Sequence, residues 1–319
     1  MNYIQVAAVK DGSPIAKRCI MGSGDFLRPD NMEQVCLMLD KYLEVGGNTF
    51  DTAHQYIGSE TAIGKWMEMR GNREKVIVLT KGAHHDDGEP GPRVNPGAIT
   101  RDLMESLERL KTDYVDLYAL HRDDPSVEVG PIMDVLNEHI ASGRIHAIGA
   151  SNWTHQRIQE ANDYAQANGL IGFTFNSPNL SLAKCRVPRW AGCVSADHDT
   201  CAWHENNQMP LLSWSSQAGG FFSGRFAPDK LDNEEMVNVY YTEDNWERYR
   251  RAQLLAERKH VSTIQIALAF VLNQPFPTAA LIGPETPAEL LSSVEGASIR
   301  LTDGEIRWLD LQTDTLSSN

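Results

Sequence analysis

Eight short apolar or β-branched runs recur along this 319-residue chain, and most are followed by a stretch with helical spacing. The runs fall at residues 18–21, 48–50, 76–80, 114–120, 145–150, 173–175, 210–214 and 278–282. Between them, Met32, Val35, Leu39 and Leu43, then Ile99, Leu103, Leu107 and Leu110, and later Ile264, Ala267, Leu268 and Val271, repeat on one helical face. Asn95-Pro96 and Thr286-Pro287 each set a capping side chain before a proline at the first helical position. Gly46-Gly47 closes the helix that precedes it, and Thr302 with Glu305 reads as a capping box opening one more.

Strands alternating with helices predict a parallel sheet, because parallel strands need long crossovers and those crossovers cover the faces. Eight such units in one chain of this length suit a closed (β/α)8 TIM barrel, a single domain over residues 1–319. An open doubly wound sheet would carry G-x-G-x-x-G after its first strand. Here Gly22-Ser23-Gly24 runs into Asp25-Phe26-Leu27, without the third glycine. Ahead of the first unit, residues 3–9 and 15–20 flank Asp11-Gly12, a favourable turn for an N-terminal β-hairpin lying over one barrel mouth.

Charge narrows the function classes. Lys plus Arg number 29 against 43 Asp plus Glu, a formal net charge of −14 with no concentrated basic patch, so neither nucleic acid nor a membrane surface is an expected partner. No apolar run reaches spanning length and the first residues lack a signal pattern. Five cysteines are few and odd in number for a disulfide framework, so a reducing cytoplasm is expected. Cys185, Cys193, His198, Cys201 and His204 match no close-paired ligand spacing, and no metal site is expected there or at His84-His85-Asp86-Asp87.

The C-terminal ends of the runs carry Asp51, Lys81, His121, Ser151 with Asn152, Ser177 and Trp214. In a barrel these positions converge on the face where chemistry is done. Asp51, Tyr56, Lys81 and His121 make a sensible reacting group. A phenol is a poor acid near neutrality unless a cation stabilises its phenolate, Lys81 can supply that cation, and a carboxylate such as Asp51 keeps a lysine charged inside a barrel mouth. His121 can orient a carbonyl oxygen. Three long loops, 82–94, 181–197 and 221–245, should overhang this face, bringing Trp190, Phe221, Phe226, Tyr240 and Tyr241 near Phe26 and Trp153. Arg122 could meet an anionic substrate group, but in His121-Arg-Asp-Asp-Pro125 it is expected rather to pair with Asp123 or Asp124.

The segments Gly47-Asn-Thr-Phe-Asp51-Thr-Ala-His-Gln-Tyr56, Leu79-Thr-Lys81, Asp113-Tyr-Val-Asp-Leu-Tyr-Ala-Leu-His121 and Gly149-Ala-Ser-Asn152 resemble the aldo-keto reductases, in particular bacterial members related to potassium-channel β subunits. Gly58-Ser-Glu60-Thr-Ala-Ile-Gly64, the stretch from Leu212 to Gly224, and Leu281-Ile282-Gly283 extend the likeness. The resemblance implies reversible hydride transfer between NADP(H) or NAD(H) and the carbonyl of an aldehyde, ketone or sugar. Tyr56 would be the general acid and base, Lys81 would lower its pKa, Asp51 would hold Lys81, and His121 would orient the substrate. It also places Ser151 and Asn152 at the nicotinamide carboxamide, Trp214 against the nicotinamide face, and Ser215, Gln217, Gly219 and Gly224 around the pyrophosphate. The family's usual glutamine after the sixth strand is replaced by Asn176-Ser177, with Ser177 aligned to it. On the eighth-strand loop, Gly283, Glu285 and Glu289 stand where relatives preferring the phosphorylated cofactor put Lys or Arg. Because channel β subunits share the resemblance, a regulatory or cofactor-sensing subunit is the alternative role. The oligomeric state is left open.

Overall fold

The computed structural model describes residues 3–6, 15–24, 26–85 and 93–316. Two short strands, β1 (Tyr3–Gln5) and β2 (Ile15–Lys17), pair antiparallel, as expected of the hairpin, whose Asp11-Gly12 turn lies outside the described residues. Eight parallel strands follow: β3 (Cys19–Gly22), β4 (Thr49–Asp51), β5 (Ile77–Gly82), β6 (Val115–Leu120), β7 (Ile145–Ser151), β8 (Phe175–Ser177), β9 (Leu211–Ser213) and β10 (Thr278–Ile282). They close in chain order, with β10 pairing back onto β3 through Ala280 and Cys19, so the sheet has no edge. The (β/α)8 TIM barrel is therefore the fold.

Helices α1 (Met32–Glu44), α2 (Ile57–Arg70), α3 (Pro96–Leu110), α4 (Val129–Ala141), α5 (His155–Ala167), α6 (His198–Asn207), α7 (Glu234–Tyr240), α8 (Glu243–Lys259), α9 (Thr263–Leu272), α10 (Pro287–Gly296) and α11 (Asp303–Leu309) connect and flank the strands. Their ends obey the capping signals. Asn95 accepts from Ala98 N at α3 and Thr286 from Glu289 N at α10, each just ahead of proline, and Thr302 with Glu305 closes a reciprocal box at α11.

The core has two layers. Inside the barrel, Ile20, Leu79, Leu117, Ala119, Ala147, Phe175, Leu212, Ala279 and Leu281 fill the lumen, and Ile4 and Val6 beside β1 join this cluster from the N-terminal end. The ribbon therefore stoppers one mouth and leaves the other for chemistry. Between strands and helices lies the larger layer, including Phe50, Trp66, Val78, Tyr118 and Ile148.

Sequence runs and strands coincide within a residue or so except at β8, which lies two residues further along than the apolar run 173–175 suggests. Phe173 instead sits before the strand with its ring 5.4 Å from that of Trp153.

Helices α2 and α3 touch backbone to backbone. A Cβ on Gly64 would sit 2.2 Å from Arg109 O and within 2.9 Å of Leu110 backbone atoms, so only glycine lets the two helices meet. Gly64→Ala should lower unfolding free energy by about 3 kcal/mol, the upper range for overpacking, measured as a fall in the urea midpoint at unchanged m-value.

Candidate active site

Seven of the eight strand ends line one cavity of about 630 Å³ opposite the stoppered mouth, through Gly22, Asp51, Lys81, His121, Ser151, Trp214 and Ile282 among others. Only β8 contributes nothing to its wall.

At its floor the Lys81 ammonium lies 2.6 Å from Asp51 Oδ1, both side chains almost fully buried, and also donates to Thr52 O at 2.9 Å. Burial pushes the Asp51 carboxyl above its usual range, and Lys81 pulls it back down. Lys81 Nζ stands 5.7 Å from the centre of the Tyr56 ring, and the His121 ring meets that ring edge-on at 5.7 Å. The four residues assembled from separate segments of sequence are thus neighbours.

The loop carrying Tyr56 is held like an extra strand. Thr52 N donates to Leu79 O and His54 N to Lys81 O, both at 2.8 Å, before Tyr56 N turns back onto Ala53 O. Tyr56 then caps α2, whose Glu60 is fully buried and accepts from Thr80 Oγ1 at 2.6 Å and from Arg109 Nη1 at 3.2 Å. Arg109 also donates to His54 O. The Gly58 to Gly64 segment therefore anchors the tyrosine loop by one interior carboxylate and one glycine contact.

His121 is buried with no partner for Nδ1. Burial first, then Lys81, His84, Arg122 and His85, push its pKa well below the usual histidine value. The His84 ring lies 4.7 Å away and stacks on His85 at 4.3 Å.

Asn152 adopts a left-handed conformation, φ 61°, with its side chain fully used: Nδ2 donates to His121 O and Ser151 Oγ, while Oδ1 accepts from Val194 N at 3.1 Å. Ser151 Oγ donates to Ser177 O. Both residues line the cavity, as do Trp214, Ser215, Gln217, Gly219, Gly283, Glu285 and Glu289. The Trp214 indole N–H is buried without a partner. Glu289 Oε2 accepts from Glu285 N at 2.8 Å, fixing the acidic corner at the β10 end.

Two expected residues fall elsewhere. Ser177 is fully buried within β8, which runs further than its apolar run, and its hydroxyl donates to Leu212 O at 2.7 Å; it does not line the cavity. Gly224 ends the turn after β9 in a left-handed conformation, also off the cavity wall. Most loop aromatics pack the loops down instead. Phe221 is buried among Phe222, Tyr240, Tyr241, Trp246 and Tyr249, and Trp153 is buried with its N–H on Arg122 O. Trp190 and Phe26 alone of that set reach the cavity. Residues 86–92 of the first loop lie outside the described residues.

The wall also holds residues that the motifs did not single out. Ser216 donates to Leu281 O at 2.8 Å, tying the segment after β9 to β10. Arg189, itself outside the lining, bridges Glu235 at 2.6 Å and donates to the lining residue Ser215 at Oγ, 2.9 Å, with its guanidinium over the Trp190 ring. Arg225 lines the cavity beside Gly220 and Ser223. A cation directly after Ser223-Gly224 was a readable signal for Arg225; nothing local marks Arg189. Arg122 is a plain correction. Asp123 pairs with Arg157 at 3.5 Å and Asp124 accepts from Ser126, so neither neighbour takes its charge.

A closed parallel barrel thus carries at its open mouth a buried lysine–carboxylate pair beside a tyrosine and a histidine. The chain belongs to the aldo/keto reductase family, whose sequence profile matches residues 20–311. It is 29% identical over 287 residues to norsolorinic acid reductase stcV of Emericella nidulans, covering 86% of this chain and 70% of that protein. An uncharacterized oxidoreductase of Bacillus subtilis, YrpG, is 25% identical over 313 residues, 94% of this chain and 93% of its own. In fold it matches the thermostable aldo-keto reductase Tm1743, crystallised with the inhibitor epalrestat, at a TM-score of 0.75 and 20% identity, over 98% of this chain and all of that one. Among the described residues no helix is long and apolar enough to cross a membrane.

Because His121 binds a proton less readily folded than unfolded, it contributes stability that is complete above the ordinary value of 6.5 and is lost as pH falls from there toward its folded pKa. His121→Gln should flatten the acid limb of stability by up to about 1.4 kcal/mol per pH unit between that point and the folded pKa, seen in urea unfolding at successive pH values.

Proposed function

We propose that this chain reversibly reduces the carbonyl of an aldehyde, ketone or sugar with a nicotinamide dinucleotide, and that Tyr56 moves the proton. The supporting observation is the buried Lys81–Asp51 pair at 2.6 Å with Lys81 Nζ 5.7 Å from the tyrosine ring. A fixed ammonium beside a phenol favours the phenolate and so makes the hydroxyl a usable acid.

The residues present fit the dinucleotide. Trp214 offers an orphaned, buried N–H on an aromatic wall. Gly219 and Gly220 have positive φ, and a Cβ on them would meet Arg189 at 3.1 Å and Arg225 at 2.4 Å, so bare backbone faces the space beside two cations. Such a corner suits a diphosphate. With its diphosphate held at that corner and its nicotinamide against Trp214, the dinucleotide would supply or take up hydride. Tyr56 Oη gives its proton to the carbonyl oxygen as the carbon is reduced and recovers it in the opposite direction. Neutral His121, edge-on to Tyr56, can hydrogen-bond the same oxygen and fix its angle. Lys81 holds the tyrosine proton labile, and Asp51 holds Lys81. Glu285 and Glu289 can accept from ribose hydroxyls and would repel a 2′-phosphate, which favours NAD(H) over NADP(H).

Tyr56→Phe should lower turnover of 4-nitrobenzaldehyde by about 10²- to 10⁴-fold while quenching of tryptophan fluorescence by NADH persists; near-normal turnover would sink the proton-donor assignment. In the same titration NADH is expected to bind more tightly than NADPH. Replacing Glu285 and Glu289 together by Gln should narrow that difference, and an unaltered ratio would remove the acidic corner from cofactor choice.

A further inference from the structure

Arg122 is a charged residue of the cavity wall that the reduction chemistry above does not use. It follows His121 directly at the end of β6, is 8% exposed and lines the cavity. One arm of its guanidinium is tethered, Nη1 donating to His121 O at 3.0 Å. Its Nε is buried without a partner, packed beside Gly192, where a Cβ would lie 3.7 Å from it.

No carboxylate among the described residues answers this charge. Asp123 is held by Arg157, Asp124 by Ser126, and the cavity's acidic corner, Glu285 and Glu289, belongs to the opposite, β10 end. Asp51 is committed to Lys81 at 2.6 Å. The catalytic end of the cavity thus carries one cation more than anions, in a chain whose formal net charge is −14. Placing an unpaired guanidinium in a nearly dry wall is costly unless an anion completes it. Arginine rather than lysine suits that purpose because its planar fork meets two carboxylate oxygens at once.

We infer that Arg122 recognises a carboxylate on the substrate, so that the compounds reduced here are carbonyl acids rather than neutral aldehydes or sugars. The inference rests on the reductase reading and narrows it. Adjacency to His121 puts the carboxylate on the same side of the cavity as the reacting oxygen, away from the Gly219–Gly220 corner assigned to diphosphate. Trp190, half exposed and 5.6 Å from Trp214, supplies a flat wall on which an aromatic or unsaturated acid can lie.

The test compares 4-formylbenzoate with its neutral isostere, methyl 4-formylbenzoate. Both are titrated against the NADH-bound protein by tryptophan fluorescence, and both are assayed for NADH oxidation. The acid is expected to bind about 10- to 100-fold more tightly than the ester, the range for a hydrogen bond to a charged group. Arg122→Gln should abolish that preference, and Arg122→Lys, which keeps the charge without the fork, should restore part of it. Equal binding of acid and ester by the native protein, or an undiminished preference in Arg122→Gln, overturns the inference. If the acid binds selectively through Arg122 but neither compound is reduced, the anion site stands and the reductase reading fails.

Discussion

Lys81 brings a full charge to a nearly buried position at the cavity floor, and the Asp51 carboxylate 2.6 Å away makes that placement tolerable. Either group alone would be an uncompensated buried ion, a situation costing several kcal/mol. Together they fix the ends of β4 and β5 against each other, and the loop to Tyr56 is laid along the β5 end by backbone bonds from Thr52 and His54. The phenol stands beside the ammonium because the chain between Asp51 and Tyr56 is clamped at both ends. Below it, Glu60 repeats the device in a different key, one fully buried carboxylate gathering Thr80 and Arg109. Two interior acids, Asp51 and Glu60, thus brace the segment that carries the tyrosine.

Charge is sorted along the cavity. The floor holds a balanced pair with a histidine kept neutral by burial and by the surrounding cations. One flank holds Arg122, the segment after β9 brings Arg225, Arg189 from the loop before β9 reaches Ser215 Oγ, and the β10 end is acidic. A molecule spanning this cavity meets different electrostatic surroundings at each end, which orients it before any shape complementarity operates.

Much of this architecture was legible in the sequence because its determinants are local. Eight apolar runs, helical periods and proline-marked caps each depend on a few adjacent residues, and they landed on the barrel with shifts of a residue or two. The clustering of Asp51, Lys81 and His121 was legible for the same reason: they close their strands, and a parallel barrel brings strand ends together. What escaped depends on contacts across the chain. Ser177 looked like a mouth residue until β8 proved to extend over it and Leu212 O took its hydroxyl. Phe221, Tyr240 and Tyr241 belong to a loop expected to overhang the open face, but five aromatics from residues 222–249 bury Phe221 among themselves. Arg122 seemed settled by two adjacent acids, and only the position of Arg157 on α5 reveals that Asp123 is taken.

Asn152 bonds the His121 carbonyl, the Ser151 hydroxyl and the Val194 amide with one carboxamide. The last of these bonds reaches from a strand end into the loop over the cavity. Anyone grafting that loop from a relative to change what the enzyme accepts inherits a fixed mooring: the donor loop must offer a backbone N–H where Val194 now does. A proline there would cast off the loop and unsettle the strand end that carries the histidine, so substrate range and barrel rim must be redesigned as one piece.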